Sequence, residues 1–218
     1  MDSPGRHKTK DMRASGRLLL LRVSAIVGLA FVSCQGPQPK PRTIRYDDPL
    51  RPIPIATSGR ARVHQLIQFF TETNPHIDIN RLDKIARLYI DEASAEGINS
   101  DIAFCQMAHE TNYLRFGGDV EARQNNFCGL GATGGGEPGL SFSSVKIGVR
   151  AHIQHLKAYA NARPLRRKPV DPRFALVRRG RAPYVEGLTG TWATDPQYGA
   201  KLKRKLQALE KHLLTPQG

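Results

Sequence analysis

From Ala61 onward, apolar residues recur at helical spacing: Val63, Leu66, Ile67 and Phe70 fall on one stripe that stops before Asn74-Pro75. A second stripe runs through Leu82, Ile85, Ala86, Tyr89 and Ala93 to Gly97, with Asn80 as its expected N-cap and a charged outer face. Ser100 is the expected cap of a third helix reaching about Asn112. The stripe of this helix is Ala103, Gln106, Met107 and Glu110, two of them polar. The periodicity then lapses between Phe116 and Ser144, where the chain is glycine-rich, and a long ordered loop or small irregular lobe is expected. It returns over Val145 to Ala160, with Val149, Ile153, Leu156 and Ala160 on one side. After a basic, proline-punctuated stretch with one helical turn near Phe174, a last helix turns Tyr198, Leu202, Leu206, Leu209 and Leu213 inward. The pattern predicts a single, mainly helical domain over 60–218, with no strand run long enough for a large sheet.

The first 59 residues read differently. Residues 1–33 have a basic start (Arg6, Lys8, Lys10, Arg13, Arg17) followed by a mostly apolar run from Leu18 to Ser33. That run is too short and too polar, with Arg22 in it, for a spanning helix, so it reads as an export signal. Phe31-Val32-Ser33-Cys34 resembles a bacterial lipobox, making Cys34 the candidate lipidation site and a lipid the expected membrane anchor. Residues 34–59 are proline-rich and aperiodic, and they are expected to form an extended linker.

Charge narrows the partners without choosing among them. The chain carries 33 Lys+Arg against 19 Asp+Glu, a net +14, and removing residues 1–33 leaves +10. Nucleic acid, an anionic membrane surface or an acidic wall polymer would each suit that excess. Nucleic-acid binding predicts aromatics interleaved with the basic segments, and residues 163–181 contain only Phe174, so no nucleic-acid partner is expected. Once Cys34 is set aside, Cys105 and Cys128 are compatible with a disulfide or with two buried thiols.

Of the polar residues on apolar stripes, Glu110 carries the sharpest chemistry. A carboxyl near the C-terminal end of a helix and on its apolar side should have its ionised form disfavoured by desolvation and by the helix dipole, as a general acid requires. Gln106, one turn earlier, could orient it. His109-Glu110 begins an HExxH pattern that Tyr113 breaks, so the zinc-protease reading fails. His152 and His155 lack a third metal ligand and read as surface histidines, leaving no metal site expected. Gly129 to Gly134 formally fits GxGxxG but has no preceding strand or following helix, and neither a GxxxxGK[ST] loop nor a GxSxG elbow is present.

These residues sit within a longer resemblance. Gln106-Met107-Ala108-His109-Glu110-Thr111, Leu114-Arg115-Phe116-Gly117-Gly118, Asn125-Asn126-Phe127, Gly129-Leu130-Gly131-Ala132, Gly148-Val149-Arg150-Ala151 and Trp192-Ala193-Thr194-Asp195-Pro196-Gln197-Tyr198 occur in order. Together they resemble the glucosaminidase family of peptidoglycan hydrolases, the endo-beta-N-acetylglucosaminidases of flagellar and autolysin type. The resemblance implies a lysozyme-like fold, mainly α within the α+β class, with a glycan groove between its lobes and a catalytic glutamate at a helix end, here Glu110. It implies no cofactor, a peptidoglycan substrate and an exported, periplasmic location, with the lipid on Cys34 attaching the domain to the outer membrane or cell envelope. Gln106, Asn125, Asn126, Phe127, Trp192 and Tyr198 are the implied groove-lining or glutamate-bracing residues. Trp192 stands where the family's closing motif usually has Tyr. Asp119 and Glu137 are candidates for a second carboxylate, although an N-acetyl sugar can supply its own nucleophile. A lytic transglycosylase and a non-catalytic wall-binding lipoprotein are the alternatives.

Overall fold

The computed structural model describes residues 44–214, so the expected export signal and Cys34 lie outside the described residues. Five helices form the frame: α1 (Val63–Thr73), α2 (Ile79–Glu96), α3 (Ser100–Glu110), α4 (Val145–Ala160) and α5 (Tyr198–Leu214). Short 3₁₀ turns occupy 122–124, 174–176 and 185–188. Among the described residues the only β pairing is two isolated bridges, Pro54 with Tyr184 and Thr189 with Ala193. The domain is mainly helical, as expected of a lysozyme-like domain.

Helix α3 is the axis of the core. Its residues Ser100 to Ala108 are all buried, because small and apolar side chains surround the helix and every face meets a neighbour. The expected stripe is therefore real but not the only buried face. Phe104 packs edge-on against Tyr89 of α2 (ring centroids 5.7 Å apart) and Phe70 of α1 (5.8 Å), and fully burying such a ring contributes roughly 1.5–3 kcal/mol. The N-caps sit slightly upstream of their expected positions. Asp78 accepts from the Asn80 and Arg81 amides, and Asn99 from those of Asp101 and Ile102, since a cap must precede the first helical residue.

Two expectations change. Residues 44–59 are not a free linker: Tyr46, Ile53 and Ile55 are buried in the core. The segment is held through side chains and isolated backbone bonds. Asp101 accepts from the Tyr46 hydroxyl (2.7 Å) and the Arg60 and Ala61 amides (2.8 and 3.1 Å), and Ile55 N donates to Pro183 O (3.0 Å). Nor is the polar side of α2 wholly outward. Glu92 is buried and takes a two-pronged bond from Arg150 of α4 (2.9 and 3.0 Å), while buried Glu96 takes one from Lys157 (2.6 Å). Cys105 and Cys128 are separate, buried free thiols.

Candidate active site

Glu110 is the last residue of α3, and the chain leaves it through a left-handed turn. Asn112, Tyr113 and Leu114 take φ of 49°, 56° and 58°, a conformation costing roughly 1–2 kcal/mol per non-glycine residue. Packing holds the turn. The Thr111 hydroxyl accepts from Leu114 N (2.9 Å), Asn74 Nδ2 donates to Tyr113 O (2.9 Å), and the Tyr113 ring is wedged against Phe69 and Phe70. The reversal carries the backbone away and leaves the carboxyl of Glu110 facing a cavity of about 370 Å³.

That cavity lies between the end of α3 and the glycine-rich lobe, with His109, Phe116, Asp119, Asn126 and Gly129 also on its wall. Gly129 and Ala132 also line a second hollow of about 170 Å³ beside Trp192, Tyr159, His155 and Arg173. The two hollows share Gly129 and Ala132 on their rims.

Two donors converge on one oxygen of Glu110. Trp192 Nε1 donates to Oε1 at 3.1 Å, and the Tyr198 hydroxyl donates to the same atom. The 193–197 link between them is fastened by Asp195, which accepts from Lys201 Nζ (2.5 Å) and Gln197 N (2.8 Å). Trp192 is set by edge contacts with His155 and a tilted contact with Tyr159, both with centroids 5.2 Å apart. Although Glu110 opens to the groove, the protein packed around its carboxyl desolvates it. Burial pushes its pKa above the ordinary 4.5, and the Tyr198 and Trp192 bonds only partly oppose that. The Tyr198 hydroxyl is driven well above its usual value by burial and by the neighbouring carboxylate, so it remains a donor.

The other expected residues divide into floor and frame. Asn126 is buried beneath the groove with its amide fully used. Nδ2 donates to Leu130 O (2.9 Å) and Leu140 O (3.0 Å), and Oδ1 accepts from Leu130 N (3.0 Å), folding 126–140 into a lobe without regular structure. Asn125 sits at φ 51° and donates to Phe142 O (3.0 Å). Its carbonyl lies so close to α4 that a Cβ on Gly148 would fall 1.8 Å away, which explains a glycine inside a helix. Phe127 and Gln106 have no exposed surface, so neither can touch a glycan; they brace. Asp119 lines the cavity with Glu110 and accepts from Gly136 N at 3.1 Å. Glu137 is exposed and absent from that wall.

Sequence reasoning misplaced the histidines of α4. His152 is buried between Tyr89 and Gln106, and His155 pairs with buried Asp171 at 2.8 Å. The available signal was position: residue 152 lies three after Val149 and four before Leu156, on the inward stripe. Among the described residues no cluster of His, Cys, Asp or Glu could hold a metal ion.

A carboxyl that opens on a cavity yet is desolvated by the protein around it, beside aromatic residues in a mainly helical domain, is an arrangement that glycoside hydrolysis can use. The comparisons agree. The family model described as glucosaminidase, mannosyl-glycoprotein endo-beta-N-acetylglucosaminidase, matches residues 86–211, and the chain belongs to that family. A Borreliella burgdorferi protein described only as uncharacterized is 46% identical over 158 residues, covering 72% of this chain and 78% of its own. No solved structure matches the chain.

Proposed function

We propose that this protein hydrolyses β-1,4 linkages next to N-acetylglucosamine in peptidoglycan, with Glu110 as proton donor. The observation that carries the reading is the Glu110 carboxyl itself. It faces the groove, and burial raises its pKa above 4.5, so a larger fraction stays protonated toward neutral pH, where a leaving glycosidic oxygen must be given a proton.

The roles of the neighbours follow from their bonds. Trp192 and Tyr198 occupy Oε1 and stabilise the carboxylate left after proton transfer. Trp192 and Tyr159 line the second hollow and offer aromatic surface to the apolar side of a sugar ring. Asp119, on the same wall, is the better placed second carboxylate, while the substrate's acetamido oxygen is the other route to the anomeric carbon. The net positive charge draws the enzyme to acidic wall polymers. Export through residues 1–33 and a lipid on Cys34 would hold it at the envelope; among the described residues no helix is long and apolar enough to cross a membrane.

The test is to incubate the mature chain and its Glu110→Gln variant with purified peptidoglycan and analyse the fragments by mass spectrometry. Reducing N-acetylglucosamine ends from the wild type alone are expected. Anhydro-sugar ends would assign the transglycosylase reaction instead, and binding without cleavage would leave only a wall-binding role.

A further inference from the structure

Behind Glu110, four side chains from four helices form one buried line. The Tyr198 hydroxyl (α5) donates to Glu110 Oε1, and Gln106 Nε2 (α3) lies 2.8 Å from the Tyr198 hydroxyl oxygen. Beyond it, His152 Nε2 (α4) is 3.0 Å from Gln106 Oε1, and the Tyr89 hydroxyl (α2) is 2.8 Å from His152 Nδ1. None of the four has more than 2% of its surface exposed.

The line has one direction, set from its open end. An indole N–H can only donate, so Glu110 Oε1 accepts from Trp192, which favours the bare carbonyl-type oxygen at that position. Tyr198 spends its single O–H on the same oxygen, and its own oxygen must then accept, which requires the NH₂ of Gln106. The amide is thereby turned with Oε1 toward His152, so that ring must present N–H at Nε2. Burial, with a smaller push from His155, drives the His152 pKa down to about 3 and keeps the imidazole neutral. Its Nδ1 is then bare and accepts from Tyr89. With both donors on Oε1, the acid proton belongs on Oε2.

We propose that His152 is a positioning residue for Glu110: through Gln106 and Tyr198 it holds the donors on Oε1 and thereby assigns the transferable proton to Oε2. This rests on the reading of Glu110 as proton donor. Gln106 supplies the length of the line, whereas His152 supplies its polarity, because only a neutral ring with its proton on Nε2 fits between an acceptor and a hydroxyl donor.

A consequence for pH follows. A general acid works while protonated, so activity is lost as pH rises through the Glu110 pKa. The Tyr198 bond lowers that pKa; loosening it raises the pKa and moves the descending limb to higher pH. Tyr198 from α5, Cys128 and Asp119 from the glycine-rich lobe, and His109 on the same helix with Lys201 and Lys205 beyond it surround Glu110. Tyr89 of α2 and His155 of α4, itself paired with Asp171, face His152.

The test compares wild type, Tyr89→Phe, His152→Phe, His152→Gln and Glu110→Gln in the mature chain. It measures kcat, KM and their pH profiles on solubilised peptidoglycan glycan strands, with thermal unfolding of each variant. Tyr89→Phe and His152→Phe are expected to lower kcat about twofold, less than a whole hydrogen bond because they act through Gln106 and Tyr198, at unchanged KM and with the descending limb moved to higher pH. His152→Gln, which restores an N–H at the same reach, should recover most of both. An unmoved limb in the two phenylalanine variants would overturn the proposal, whether kcat is unchanged or falls with the folded fraction. Should His152→Phe fail to fold, Tyr89→Phe, which removes one oxygen atom, decides alone. Full activity in Glu110→Gln would remove the reading of Glu110 itself, an outcome distinct from normal kinetics in the His152 and Tyr89 variants.

Discussion

Helices α2 and α3 both end on a glutamate, Glu96 and Glu110, so the helix dipole disfavours the carboxylate at each end in the same sense. What differs is the partner each one meets. Glu96 takes the Lys157 ammonium at 2.6 Å and the backbone amides of Arg166 and Arg167 at 2.9–3.2 Å. Burial pushes Glu96 upward, but these bonds outweigh it and the pKa lies below 4.5. Glu110 has only neutral donors, Tyr198 and Trp192, and its pKa lies above 4.5. One position is a closed ion pair that holds α2 to α4; the other is an acid open to a groove. Residue type and place in the helix do not separate structure from chemistry here. The formal charge of the partner does.

The comparison can be broken most severely at Lys157. Lys157→Ala leaves Glu96 buried without its cation, and unfolding in denaturant should show a loss of about 3–5 kcal/mol at neutral pH. Next in size is Gly148→Ala, which drives a methyl from α4, the helix that carries Lys157, into the Asn125 carbonyl. Its expected cost is about 2 kcal/mol by the same measurement. A smaller effect sharpens the contrast through pH. Because the folded pKa of Glu96 is depressed, its stabilisation is complete above the unfolded value and is lost as pH falls through the folded one. The stability gap between wild type and Lys157→Ala should therefore narrow below about pH 4.5, as followed by denaturant midpoints across an acid series. Smallest is Trp192→Phe, which removes one donor from Glu110. It should lower kcat about threefold and move the descending limb of the activity profile slightly to higher pH.

Much of this was readable from the chain because helices α1 and α5 bury one face and expose the other, and because the apolar positions of α4 keep helical spacing although 151–158 is buried all round. Their apolar spacing places Val63–Thr73, Val145–Ala160 and Tyr198–Leu214 closely. Glu110 was readable for the opposite reason, as a charge on an apolar stripe, and the family resemblance supplied Trp192 and Tyr198. Residues 44–59 were not, since Tyr46, Ile53 and Ile55 are single anchors without a period. The turn after Glu110 was hidden too. Asn112, Tyr113 and Leu114 have no local preference for positive φ strong enough to announce it, and only packing against α1 selects it. Glu92, Glu96 and His152 looked like solvent-facing polar residues, although each shares a helical face with buried neighbours. Their partners lie on α2, α3, α4 and the 163–170 loop, far off in sequence.

The most direct test of the opposed glutamates is an NMR titration of the side-chain carboxyl carbons, assigned through Glu96→Gln and Glu110→Gln. The account predicts that Glu110 titrates above 4.5 and Glu96 below it, with Glu110 the more basic of the two. A Glu110 that titrates at or below Glu96 would contradict it.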